Sequence, residues 1–387
     1  MSEWKKVKLG ELYEVHNGLS KGRQFFGTGF PFLTFSNVFN NWFLPEQLES
    51  LVQTTDKERE ACSIKAGDVF ITRTSETMDE LGMSSVALKD YPNATYNGFT
   101  KRLRPITDRV NPHYIGYYLR TPKFRGQFMA FSTMTTRASL ANNDLLNMEV
   151  ELPPMDIQKN IATILSRYDS LIENYQKQIK LLEEAAQRLY KEWFIDLHFP
   201  EHENTNIIDG VPEGWEKKKV GEVIAKVPRS KQIPTKDYQN EGAIPIIDQS
   251  RDYIAGYTDD IESMVESNEP YIVFGDHTRI LKYVPFPFAK GADGTQLIMS
   301  NNLDLMPQCL LFTSLVSVDL SNYSYARHFK YLKEEEILVP TASIANAFSK
   351  HVAKWYAKIQ LNREQLRLLS EARDRLLPKL MSGEIEI

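Results

Sequence analysis

Short loops rich in lysine, arginine, asparagine, serine and threonine recur along this chain, and that mixture suits one kind of chemistry. Cations gathered on one surface hold phosphates, because counterion release supplies most of the sequence-independent affinity for nucleic acid. Arg, Lys, Asn, Gln, Ser or Thr projected from a rigid support can read base edges. In the first half of the chain the candidates are Lys21 and Arg23; Arg73, Thr74 and Ser75; Asn97 and Lys101; and Thr135, Thr136 and Arg137. In the second half they are Ser230 and Lys231; His277, Thr278 and Arg279; Lys290, Thr295 and Gln296; and Arg327 and His328. Taken singly, each loop also reads as a solvated turn; recurrence at similar places in both halves favours the contact reading.

Catalytic patterns are missing from the sequence. It contains no G-x-x-x-x-G-K-[ST] phosphate loop, no G-x-G-x-x-G turn and no G-x-S-x-G elbow. No asparagine precedes a Pro-Pro-aromatic run, as an amino-methyltransferase would require; Leu152-Pro153-Pro154-Met155 reads instead as a strand end followed by a helix start. His198 and His202 stand four apart, but Pro200 breaks the helix that would aim both at one metal. Asp293-Gly294 reads as a turn. Cys62 and Cys309 are the only cysteines, too few for a disulfide framework or a Cys-rich zinc site. A cytoplasmic chain with reduced thiols is the expectation.

The 387 residues carry a net charge of −5 and a pI near 5.9, so any affinity for nucleic acid must come from a local patch. Such a patch is visible between Asn97 and Leu140, where Lys101, Arg102, Arg104, Arg109, Arg120, Lys123, Arg125 and Arg137 face one acid, Asp108. The stretch from Glu149 to Glu203 is acidic by contrast.

The elements that must position these loops come in two copies. Trp4, Gly10 and Glu11 near the start are echoed by Trp215, Gly221 and Glu222. Glu149-Val-Glu-Leu-Pro153 is echoed by Glu336-Ile-Leu-Val-Pro340, an offset of 187 (149 to 336) that then holds without gaps. It pairs Ile157 with Ile344, Ile172 with Ile359, Glu184 with Glu371 and Arg188 with Arg375. Each copy is thus a head of variable length followed by a tail of fixed register. The tails carry apolar residues at alternating spacings of three and four, the stripe of a coiled coil. A helix over 155–195 would be ~60 Å long at 1.5 Å per residue. Such stripes must be buried, and antiparallel pairing of the two tails buries both. Gln178, His351, Asn362 and Gln365 fall on or beside the stripe, where polar residues either fix the register of a seam or stand as solvated edges, the second being the favoured reading. The heads hold short β-prone segments, among them Asp68–Thr72, Tyr271–Phe274 and Cys309–Phe312, and a short helix entered at Pro112. The expected fold is α+β: two α+β heads separated by two long antiparallel coiled-coil helices, with a pseudo-twofold internal repeat. The expected boundaries are a head at 1–153, a helix at 154–198, a linker at 199–214, a head at 215–340 and a helix at 341–387.

With these features in place, the chain resembles the DNA-specificity (S) subunit of type I restriction–modification systems. The resemblance rests on the repeated Trp–Gly–Glu head openings, the head endings at Pro153 and Pro340, Tyr168–Asn174, Leu181–Ala185, Arg375-Leu-Leu-Pro-Lys-Leu-Met-Ser-Gly-Glu384, Gly275–Arg279 and Gly291–Thr295. It implies two target-recognition domains for double-stranded DNA and a scaffold for two methyltransferase (M) and two restriction/motor (R) subunits. It also implies no chemistry and no cofactor in this chain itself; S-adenosylmethionine and ATP with Mg would sit on the partners. For the partner surface, the outward charges Glu184, Arg188, Glu371 and Arg375 are candidates. So are Trp193, Phe194, Leu376 and Leu380, which give the helix ends more apolar surface than one seam needs. Two other readings remain at this level: a coiled-coil adaptor that touches no DNA, and a self-contained fused methyltransferase.

Overall fold

The computed structural model describes residues 4–75, 81–131, 138–291, 293–323 and 327–387. Two compact units emerge: Met1–Ile172 with Leu368–Ile387, and Glu173–Arg367.

The first unit closes its head with an antiparallel pair, Lys5–Lys8 against Glu149–Leu152, in which Lys5 faces Leu152 and Lys8 faces Glu149. Inside stands a four-stranded antiparallel sheet in the order Tyr13–Asn17, Thr100–Pro105, Val69–Thr72, Ser84–Val86. Val69–Thr72 is buried throughout, which is why it reads as a continuous apolar run and does not alternate. A second sheet orders Leu51–Val52, Phe26–Leu33 and Thr95–Tyr96, the last two running parallel. The helix Pro112–Tyr118 begins where its sequence says it should. Asn111 Oδ1 accepts from the backbone N–H of His113 and Tyr114, and Pro112 occupies a position whose N–H would be unpaired anyway. Its buried Tyr114, Ile115, Tyr117 and Tyr118 join Leu9, Leu12, Val69 and Ile71 in one core. Both long helices enter that core, one through Ile161 and Leu165, the other through Leu377, Leu380 and Met381. Asp169 ties them together, accepting from Arg373 Nη1 at 2.8 Å and from the Tyr117 hydroxyl.

The second unit repeats this plan. Glu216–Lys219 pairs antiparallel with Glu336–Val339, Glu216 facing Val339. One sheet orders Leu281–Val284, Tyr271–Gly275, Thr295–Ile298; the other orders Gly256–Thr258, Ile244–Ile247, Phe288–Lys290, Met264–Val265. Ile246 and Ile247 run parallel to Ala289 and Lys290, the counterpart of the parallel step in the first head. Cys309-Leu-Leu-Phe312, expected as a strand, lies instead in the helix Gln308–Ser317. A short apolar run has no period that separates strand from buried helix. Here Cys309, Leu310, Leu311 and Leu315 are all buried in one core with the long helices.

The long helices are Met155–Tyr190, continued by a wider π-type turn at Lys191–Ile195, and Ala342–Ser382, with Pro378 inside it. Within the second unit their segments run antiparallel: Gln178 meets Asn362 and Tyr190 meets Phe348. Phe348 is fully buried beneath Tyr190, Trp193 and Phe194. Burying such a ring contributes about 1.5–3 kcal/mol.

Candidate nucleic-acid interface

In the second head the sequence-selected loops are brought together by strand pairing. Gly275 ends one strand opposite Thr295, which begins the next, so Gly275–Arg279 and Gly291–Thr295 share one sheet end. A parallel bridge from Gln232 to Lys290 adds the segment that carries Ser230 and Lys231. The loops are cross-tied. Asp276 N donates to Gly294 O at 2.7 Å, Gln249 Nε2 donates to Asp293 O at 2.9 Å, and Thr278 Oγ1 donates to Gln249 O at 2.7 Å. Gly294 has φ +86° and a Cβ there would lie 2.8 Å from both Gln249 and His277, so glycine is required at that turn. Buried Asp276 accepts from Phe329 N at 2.8 Å and thereby caps the helix His328–Glu334.

Two shallow depressions meet on this surface, both lined by Gln232 and Gln296. One, of about 290 Å³, also has His277, Asp293 and Arg327 on its wall; the other, of about 360 Å³, has Arg229, Ser230 and Lys290. The Gln232 amide is assigned from its neighbours, with oxygen toward Lys290 Nζ at 3.1 Å and nitrogen toward Asp293 Oδ1 at 3.3 Å. Burial lowers the Lys290 pKa, and Asp293 opposes that shift. His277 and Arg327 are exposed, and the Ser230 hydroxyl is buried without a partner. The surface therefore offers donors, amides and cations side by side, the groups that base edges and phosphates accept.

The first head carries the same three-loop frame. Thr72 faces Thr100 across its sheet as Gly275 faces Thr295, and Leu19 bridges Asn97 in parallel as Gln232 bridges Lys290. A Cβ on Gly18 would lie 2.1 Å from Asn97 O, so these backbones touch. Arg23 is exposed and Arg73 half-buried. Lys21 bonds Glu58 at 2.9 Å. The Glu58 pKa falls to about 2, chiefly because Thr55 N–H donates to its carboxylate, with Lys21 adding to the effect. Thr74 and Ser75 lie in a short strand paired with Ala138 and Ser139. Thr135, Thr136 and Arg137 lie outside the described residues.

Several sequence-selected residues have other employment. Lys101 is buried and donates to Asn142 Oδ1; burial, then the neighbouring charge of Arg73, lowers its pKa. Thr295 is fully buried. His328 is buried, with Nδ1 against Asp276 O at 2.9 Å, and braces the loop from beneath. Lys231 pairs with Asp260 at 2.7 Å. Arg279 is exposed, with Nη2 reaching Tyr323 O at 3.3 Å. Of the basic run of 97–140, Lys101, Arg102, Arg104 and Arg120 are turned inward and do not join an outer cationic face. Arg102 donates to Ser63 O, and Arg104 forks onto buried Asp68 at 2.7 and 2.9 Å. Arg120 donates to four carbonyls, those of Ser84, Val38, Phe39 and Asn41. These side chains hold the head together.

On the tails, Glu184 and Arg188 lie 3.7 Å apart and Glu371 and Arg375 2.6 Å, the same i,i+4 pair in both repeats. Phe194 and Leu380 are corrected from outer surface to core: each is buried in its own unit, where the helix end seats against the head. Trp193 packs at Phe348 and Leu376 is half-buried against the first core. Reading the sequence missed Gln232 and Gln249, single amides among turn residues with no spacing to mark them.

No group of three metal-ligating side chains occurs among the described residues, and none of their helices is long and apolar enough to cross a membrane. His202 Nδ1 lies 2.9 Å from Phe199 O and His198 Nδ1 2.9 Å from Glu192.

Residues 1–184 match the family described as the type I restriction modification DNA specificity domain. The whole chain aligns with the type I restriction enzyme MjaIX specificity subunit of Methanocaldococcus jannaschii at 27% identity, over 94% of that protein. It aligns with the HindI specificity subunit of Haemophilus influenzae at 22% identity, over all of both chains. The fold is similar to the crystal structure of the S subunit from M. genitalium, with TM-score 0.62 and 14% identity over 98% of this chain and 96% of that one. Along its whole length the chain is thus similar to specificity subunits, which are the non-catalytic, DNA-recognising components of type I restriction enzymes.

Proposed function

We propose that each head reads its own half-site in duplex DNA through its three-loop surface, so that the target is bipartite, asymmetric and interrupted by unread base pairs. The observation that carries this reading is the recurrence of one frame with different residues mounted on it. Asn97 and Lys101 stand in the first head where Lys290 and Gln296 stand in the second, and Phe99 stands in the loop that carries Asp293 and Gly294 there. A shared frame implies a shared way of docking; different side chains imply different bases. The exposed Arg23, His277, Arg279 and Arg327, with Asn97, Lys290 and Gln296, are the contact residues on this reading.

The tails then recruit the catalytic subunits. Glu184 with Arg188 and Glu371 with Arg375 repeat the same surface, which suits two copies of one partner, two methyltransferase subunits, with two restriction/motor subunits joining for cleavage. S-adenosylmethionine, ATP and Mg belong to those partners on this reading, and this chain holds no cofactor. Mapping of methylated adenines in a cell carrying the assembled system tests the proposal. A bipartite site with unequal halves is expected; a single contiguous site or a perfect palindrome would overturn it.

A further inference from the structure

Phe99 stands at the middle of a candidate recognition loop and is 55% exposed. Its backbone is not free. Phe99 N donates to Asn97 Oδ1 at 2.6 Å, and its carbonyl accepts from Arg73 N at 3.0 Å. On either side, Gly98 N donates to Leu19 O at 2.9 Å and Thr100 N to Asn97 O at 3.0 Å. The loop is fixed at every residue, and it holds a large apolar ring out in water. A fold gains nothing from that arrangement, whereas docking onto DNA does: the backbone that carries the ring is already ordered, so burying the ring fixes only its own side-chain torsions.

A phenyl ring has neither donor nor acceptor, so it cannot join the hydrogen-bond code of the base edges. One base edge in the major groove carries an apolar group, the C5-methyl of thymine. The surrounding Asn97 and Arg73 are residue types that serve in that groove. Resting on the proposed reading of the heads, we infer that Phe99 is a specificity residue of the first head that docks on a thymine methyl group. The second head carries Asp293 and Gly294 in the same loop, so this contact belongs to one half-site only.

The test uses the assembled complex and its mapped target. Duplexes are made in which each thymine in turn is replaced by deoxyuridine, which removes the methyl and leaves pairing intact. Wild type should lose about fourfold in affinity at one thymine, the worth of one buried methyl-sized group, and that thymine should lie in one half-site. Phe99→Ala should bind thymine and uracil duplexes alike at that position, with its affinity for the other half-site unchanged. Phe99→Leu, still apolar, should keep part of the discrimination. Indifference of the wild type to uracil everywhere, or persistence of the discrimination in Phe99→Ala, would overturn the assignment while leaving DNA recognition intact. A rise in 2-aminopurine fluorescence beside the site, with no uracil effect, would also overturn it, because the ring would then be wedging a base step apart. Absence of any sequence-specific site would instead remove the reading on which it rests.

Discussion

Asn362 Nδ2 donates to Gln178 Oε1 at 3.1 Å, joining the two long helices through a pair of amides. Asn362 is fully buried and its Oδ1 has no partner. Both residues read as solvated edges in the sequence; the structure puts one of them inside the seam. A polar side chain there costs stability and fixes alignment, because any slipped register leaves it unpaired.

Removing one partner should therefore hurt more than removing both. Gln178→Ala should destabilise the chain by about 1–3 kcal/mol, the cost of stranding a buried donor. Gln178→Leu with Asn362→Leu should be neutral or stabilising. Urea midpoints of the two variants against wild type check this; equal losses in both would show that the pair carries no special constraint.

Lys282 makes a second prediction in the same unit. It is 4% exposed, its ammonium donates to Asp252 O, and Asp248 lies 3.8 Å away. Burial lowers its pKa to about 8 against a reference of 10.5, and Asp248 limits the fall. Between those values the unfolded chain binds more protons than the folded one, so stability should rise with pH from about 8 toward 10. Above 10 the buried tyrosines oppose the trend, since burial raises the pKa of Tyr283 and Tyr114 and their folded forms resist ionisation. Lys282→Met should reduce the rise between pH 8 and 10, leaving the part that Lys101 and Lys290, also lowered by burial, contribute. An unchanged slope in that variant would assign the pH dependence to other groups.

The long helices and the segments that open and end each head were legible because their signals are periodic and local. A stripe at spacings of three and four, Asn111-Pro112, and two copies at offset 187 each name an element directly. Cys309–Phe312 was not, because four apolar residues in a row suit a strand and a buried helix equally. The basic run of 97–140 misled for a different reason. Charge counts record residues, not directions, and Arg102, Arg104 and Arg120 point inward to carbonyls and a buried carboxylate. The three-loop frame itself depends on Thr72 meeting Thr100 and Gly275 meeting Thr295, pairings distant in sequence. The loops could be nominated by composition; their convergence could not.

Arg279 allows stability and recognition to be separated. It sits at φ +62°, where a side chain costs roughly 1–2 kcal/mol and glycine costs little. Arg279→Gly should therefore raise the melting temperature slightly while weakening the half-site read by the second head alone. If the guanidinium reads a base, the loss should be about 1–3 kcal/mol and one position should relax; if it clamps a phosphate, the loss should be uniform and the salt dependence shallower. A stabilised variant with wild-type affinity for both half-sites would remove Arg279 from the contact surface.

The last prediction concerns the tails. Glu184 and Glu371 occupy the same place in the repeat, each beside an arginine four residues on. Neither ion pair contributes much to the fold, since exposed i,i+4 pairs stabilise a helix by only about 0.3–0.5 kcal/mol. A partner that used this patch would meet it twice, so one substitution should weaken one of the two contacts and both should weaken the pair. Reversing Glu184 and Glu371 to lysine together should reduce co-purification of the methyltransferase subunit, with each single variant retaining about one copy. The reversal also places like charges beside Arg188 and Arg375, so the double variant Glu184→Gln, Glu371→Gln is the control: it removes the carboxylates without repulsion and should weaken assembly less. Native-mass stoichiometry distinguishes the outcomes. Two methyltransferase subunits bound at wild-type affinity in the reversed double variant would move the docking surface elsewhere on the chain.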